Sequence, residues 1–161
     1  MLSRKAKYAL RALLALAKDY NRGPMLIADL AEQERIPKKF LELILLQLKH
    51  QGILQSKKGR GGGYFLGKDP DQIKFGQIIR VIDGPLAPIP CVSQTAYMKC
   101  DACADEAACG IRLVMKDVRD ATAEILDGSS LKSVLRRADA SGKRKKKRSS
   151  AAQFFLTYQT T

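Results

Sequence analysis

Four cysteines carry the most distinctive chemistry of this 161-residue chain: Cys91, Cys100, Cys103 and Cys109 fall within nineteen residues of one another. Thiolates are soft ligands suited to zinc and to iron–sulfur clusters, and they are also the nucleophiles of thiol–disulfide chemistry. Cys100-Asp101-Ala102-Cys103 has the two-residue gap common to zinc and cluster sites, flanked by one single cysteine on either side. Structural zinc is usually held by two paired short-gap motifs, whereas clusters tolerate an irregular set better. Cys109 lies near the start of an expected helix, where the dipole favours the thiolate, while Asp101, Asp105 and Glu106 oppose it. All four are therefore candidate metal ligands. Three readings stay open at this point: an iron–sulfur cluster (2Fe–2S or 4Fe–4S), free thiols in a redox or persulfide switch, and zinc.

The second kind of chemistry is charge. The chain holds 29 Lys and Arg against 16 Asp and Glu, a formal net charge of +13. Without the six-residue basic run Lys143 to Arg148 it still carries 23 basic against 16 acidic residues. Such an excess implies a polyanionic partner, nucleic acid or an anionic membrane surface. Lys38, Lys39 and Glu42 are the candidates for reading bases, and Lys57, Lys58 and Arg60 for gripping phosphates or the minor groove. By themselves Lys38, Lys39 and Glu42 read as an ordinary solvated helix face. Joined to the helix pattern below and to the net charge, they point to double-stranded DNA.

Catalysis finds no footing. His50 is the lone histidine, at a helix C-terminus where partial positive charge is favourable, and it has no partner for acid–base work. Gly59 to Gly63 lacks the Gly-Lys-Ser/Thr ending and the following helix of a nucleotide-phosphate loop. No apolar run of eighteen residues is present, so no spanning helix and no membrane partner are expected. Arg11 interrupts the apolar stretch near the N-terminus and no small-residue cleavage site follows, so a cytoplasmic location is expected. In that compartment cysteines serve as ligands or switches in preference to structural disulfides.

The elements that must position these residues follow from periodicity. A helix is expected over 3–18, capped by Ser3, with Leu10, Leu13, Leu14 and Ala17 on one face. A short helix follows from Met25 to Glu34, and a third begins at Pro37, with Leu41, Ile44, Leu45 and Leu48 as its buried stripe. Ile27, Leu30, Ala31 and Ile36 complete a helix-turn-helix pattern that turns Lys38, Lys39, Glu42 and Gln47 away from the core. Ile53–Ser56 and Tyr64–Leu66 read as a hairpin with a flexible, glycine-rich tip. A helix over Ile73–Ile82 precedes a Pro-rich stretch with the cysteines. A long helix over Glu106–Leu126 then carries Ile111, Val114, Met115, Val118, Thr122 and Ile125 at three- and four-residue steps, more apolar surface than one small domain can cover. The expected fold is mainly α with a small β-hairpin wing: a winged helix-turn-helix DNA-binding domain over 1–84, a cysteine-containing sensor loop over 85–105, a dimerisation helix with a short terminal helix over 106–138, and a basic disordered tail over 139–161. Two such long helices paired in a homodimer would match a palindromic operator.

Several stretches resemble one family. Leu2-Ser3-Arg4-Lys5-Ala6-Lys7-Tyr8-Ala9-Leu10-Arg11, Phe40-Leu41-Glu42 and Gly59-Arg60-Gly61-Gly62-Gly63-Tyr64 are similar to the bacterial Rrf2 regulators, which include IscR, NsrR and CymR, across about residues 1–135. The resemblance implies dimers on palindromic operators, in IscR-like members a glutamate matching Glu42 that tunes operator choice and, in some members, a regulatory cluster held by three cysteines and one other residue. Cys91 and Cys109 match the outer ligands; Cys103 matches the middle one in IscR-like spacing and Cys100 in members with uneven spacing. The non-cysteine ligands of IscR-like and NsrR-like members are replaced here by Arg112 and Tyr8, and a fourth cysteine is present, which suggests an all-thiolate set. CymR-like members also imply a repressor controlled by a metabolic enzyme. The competing reading from another class is a cysteine-based metal or redox module whose basic tail binds nucleic acid nonspecifically.

Overall fold

Ser3 sets the entry into the first helix, accepting a hydrogen bond from the Ala6 amide at 3.0 Å. The computed structural model describes residues 2–103 and 105–141. Helix α1 (Arg4–Lys18) buries an Ala/Leu face, including Ala9, Ala12 and Leu13, against α3 (Lys38–His50) and α4 (Phe75–Asp83). The small alanines let these helices approach closely. The same Ser3 hydroxyl and amide bond to Asp83 at the end of α4, which ties the first helix to the last turn of the fourth. Leu30 and Ala31 of α2 (Ile27–Gln33), Ile36 of the turn, and Leu41, Ile44, Leu45 and Leu48 of α3 join the same continuous core.

The second helix is shorter than the expected Met25–Glu34 span. Met25 is extended and exchanges two backbone hydrogen bonds of 2.9 Å with Tyr64, so it serves as a third rung beside the hairpin of β1 (Leu54–Lys57) and β2 (Gly63–Leu66). The hairpin is antiparallel, with Leu54 opposite Leu66 and Lys57 opposite Gly63. Gly63 explains part of the glycine run: its φ is +149°, and a Cβ there would lie 2.2 Å from the Met25 carbonyl oxygen. The glycines are thus used for close backbone approach as well as for turning the chain.

After α4 the chain forms a 3-10 turn, η1 (Pro90–Val92), and then the long helix α5 (Gly110–Gly128). The expected start at Glu106 moves to Gly110 because Asp105 accepts from the Ala107 amide at 2.8 Å and Cys109 becomes the N-cap. Two contacts fasten α5 to its own domain. Arg119 donates to the Val92 carbonyl at 2.6 Å, and Asp127 receives a bidentate pair from Arg80 at 2.6 and 2.8 Å. Gly76 makes room for that pair, since a Cβ there would stand 2.0 Å from the Asp127 carboxylate. The chain then returns to the core. Ile73 and Leu131 are linked by a 3.0 Å backbone bond, Ser130 donates to Asp71 at 2.7 Å, and Leu131 is wholly buried. A further helix, α6, runs over 131–141, three residues past the expected boundary at 138. The remainder of the expected tail, 142–161, with its basic run, lies outside the described residues. Among the described residues no helix is long and apolar enough to cross a membrane.

Candidate nucleic-acid interface and cysteine loop

The helix-turn-helix is closed by backbone bonding: the Ile36 amide donates to the Ala31 carbonyl at 2.9 Å, and Arg35 takes a φ of +50° to make the corner. With Leu41, Ile44, Leu45 and Leu48 all fully buried, the rotation of α3 is set by its core stripe. Lys38, Lys39 and Glu42 are exposed as a result. Both lysines stand at the positive end of the helix dipole with no acidic residue in the first turn, a combination that attracts an anion.

Gln47 behaves otherwise than expected. Its carboxamide accepts from Lys5 Nζ at 2.7 Å and donates to the Val81 carbonyl at 2.6 Å, so it joins α3 to α1 and α4 and is not free to meet a base. Leucines take the outward positions instead: Leu43 is 63% and Leu46 45% exposed. Helical spacing puts them opposite Leu41, Leu45 and Leu48, a signal available in the sequence but masked by the run of apolar residues there. Tyr8 packs edge-on against Phe40, with ring centroids 5.8 Å apart, and so braces the first turn of α3.

On the hairpin, Lys57, Lys58 and Arg60 are all exposed. The hairpin follows directly from α3, anchored by a 3.0 Å bond from the Ile53 amide to the Leu48 carbonyl.

The structure brings the Cys103 and Cys109 sulfurs to 3.5 Å, and Cys100 stands next to Cys103, whose amide donates to the Cys100 carbonyl at 3.3 Å. The Arg112 amide at the start of α5, then the Cys103 thiol and the Ile111 amide, hold Cys109 below the usual thiol range. Cys103 is pushed up to about 12 by Cys109 and, next, by Cys100. Cys91 is buried on η1, the Pro-rich turn expected for it. Sequence reasoning missed a neighbouring polar network. Tyr97 donates to both Glu106 oxygens at 2.9 and 3.0 Å, and the Glu106 carboxylate raises the phenol's pKa. Among the described residues Arg112 Nε is buried without a hydrogen-bond partner, the Glu106 carboxylate lying 3.8 Å off. In chemistry this set suits a thiolate-held cluster, with a cation beside it to offset thiolate charge. In arrangement it is not closed: among the described residues no three His, Cys, Asp or Glu side chains are grouped to hold a metal ion.

Helix α5 buries none of its residues completely. Ile111, Val114, Val118 and Ile125, four of the six expected stripe positions, are 45–69% exposed. Met115 and Thr122 are half-buried.

Residues 2–137 match the family described as Rrf2: Iron-dependent Transcriptional regulator. The rrf2-like HTH-type transcriptional regulator of Rhodobacter capsulatus is 44% identical over 138 residues, covering 84% of this chain and 92% of that one. The HTH-type transcriptional regulator CymR of Bacillus subtilis is 32% identical over 130 residues, 81% of this chain and 86% of that protein. The solved structure of CymR, described as the global cysteine regulator of B. subtilis, superposes with a TM-score of 0.70 at 30% identity over 83% of this chain and 95% of that chain. The structure of T. potens IscR superposes with a TM-score of 0.66 at 28% identity, over 86% and 88% of the two chains. These relatives are transcription regulators, not enzymes, and the winged-helix architecture expected from periodicity is the one they share. With its helix-turn-helix, wing and long outer helix matched along the same span, this chain belongs to the Rrf2 family of transcriptional regulators.

Proposed function

We propose that this chain binds a palindromic DNA operator as a homodimer, with α3 in the major groove and the hairpin on the flanking backbone or minor groove. One observation carries the reading: α3 is locked by its buried stripe while its positive end presents Lys38, Lys39 and Glu42 to solvent. The exposed Ile111, Val114, Val118 and Ile125 of α5 support pairing with a second copy, since 3-4-7 spacing makes a continuous seam. Selecting bound duplexes from a random library and footprinting the winner tests this. A discrete palindromic footprint and a sedimenting dimer are expected. Protection without a preferred site would leave the nonspecific reading in its place.

The cysteine loop serves as the sensor in this proposal, because Arg119 couples the Val92 carbonyl, next to Cys91, to the outer helix. Cys91, Cys100, Cys103 and Cys109 would hold an iron–sulfur cluster, a reading supported by the iron-dependent family description and the all-thiolate set. Such a group supplies sensitivity to iron, sulfide and oxidants. The Cys103–Cys109 contact supports a second reading, a dithiol switch without metal. Anaerobic purification separates them. A coloured protein that loses its colour in Cys91→Ala or Cys109→Ala supports the cluster. A colourless protein without iron or sulfide after reconstitution, whose Cys109 alkylates before Cys103, supports the dithiol. A metabolic enzyme as partner draws no support from the comparisons.

A further inference from the structure

The solvent face of α3 is not uniformly polar. Leu43 and Leu46 lie opposite the buried Leu41, Leu45 and Leu48, on the same helical stripe as Lys39 and His50, at steps of four and seven residues from Lys39. Leu43 is the most exposed leucine of α3, and Leu46 keeps close to half of its surface open to solvent. The surroundings specify the occupant. Lys39 heads the stripe at the positive helix end and Lys38 precedes it in the same turn, so whatever covers the stripe is anionic at that end and apolar at its centre. An apolar protein surface would strand the lysines, whereas the DNA major groove offers both features. There the only apolar group on a base edge is the thymine C5-methyl. A leucine set against guanine, adenine or cytosine polar edges would desolvate them and return no hydrogen bond.

From this, and resting on the DNA-binding reading above, we infer that Leu43 and Leu46 read thymine methyl groups, so that each operator half-site carries A·T pairs under the middle of α3. Lys39 and Glu42 then specify the pairs nearer the helix start, and the leucines fix the next ones by exclusion of polar edges.

The test uses the full chain and the duplex selected by binding, with each thymidine replaced singly by deoxyuridine, which removes only the methyl. For the wild-type protein, one or two replacements in each half-site should weaken binding about fourfold apiece, the effect of withdrawing one buried methyl from an apolar contact. In Leu43→Ala or Leu46→Ala the corresponding replacement should have no effect. Both substitutions are at exposed positions, and circular dichroism checks that the fold is kept. Leu43→Gln provides a second readout: it should shift the selected base at that position toward adenine contacts through its carboxamide. If no deoxyuridine replacement weakens the wild type, or the loss persists unchanged in both alanine variants, the inference falls while DNA binding stands. If the alanine variants keep their deoxyuridine sensitivity but sediment differently from the wild type, a second copy covers the stripe and the inference also falls. Absence of any selected duplex would instead overturn the DNA-binding reading itself.

Discussion

Lys38 and Lys39 occupy the end of α3 where a positive charge weakens its own helix, by about 0.3–1 kcal/mol each. Two charges at a position that disfavours the helix are compensated when an anionic partner binds there. In the proposed DNA-binding reading the helix end and the two ammonium groups together face a negatively charged edge. Lys39→Ala or Glu42→Ala should therefore change the preference among operator variants, by about 1–3 kcal/mol per lost base contact in competition binding. Arg60 stands on the hairpin tip. Arg60→Ala should weaken all sequences alike and flatten the log affinity against log salt plot by about one unit. A change of preference from Arg60→Ala, with none from the helix variants, would reverse these assignments. Tyr8 illustrates a residue whose role lies elsewhere: in place of a ligand, it packs on Phe40 and steadies α3.

At the scale of elements, α5 is the piece with unfinished packing. Its inner face is fastened by Arg119 to η1 and by Asp127 to α4, and its outer face exposes the Ile111, Val114, Val118 and Ile125 seam. Val118→Asp places a charge in that seam and should shift the protein to monomer in sedimentation at micromolar concentration, with the fold intact. A monomeric wild type under the same conditions would end the pairing proposal. The Arg80–Asp127 pair has a pH signature. Arg80 holds the Asp127 carboxyl below the usual carboxylate range, so the pair's contribution is complete above the unfolded value and is lost as pH falls through the folded one. Both side chains are partly exposed, so screening keeps the contribution to about 0.5–1 kcal/mol. Asp127→Asn should lose that amount in urea unfolding at neutral pH, and the difference from wild type should shrink below about pH 4.

For the whole molecule, the charge of +13 governs approach to DNA more than choice of site. The basic run Lys143 to Arg148 adds to it from beyond α6. Deleting 142–161 should lower affinity at low salt, reduce the salt slope, and leave the footprint unchanged, as gel shift and footprinting would read out. A footprint that moves or shortens would give the tail a part in site selection.

Much of this was determined by the sequence alone, because local physics sets it. The period of apolar residues placed α1, α3, α4 and α5, and the small Ala31 with Ile36 marked the helix-turn-helix, since a helix must bury one face whatever its neighbours are. Charge and the glycine hairpin pointed to a polyanion for the same reason: both are properties of composition. Tertiary structure decided what depends on contacts distant in the chain. It took Met25 out of the helix to pair with Tyr64, and turned Gln47 inward to Lys5 and Val81. It also returned Leu131 to the core beside Ile73. Four cysteines in one loop were visible at once, but spacing cannot say which sulfurs meet. Packing of the loop against the start of α5 brought Cys103 to Cys109 and left Cys91 buried on its turn, because a short irregular segment takes its shape from the surfaces it rests on.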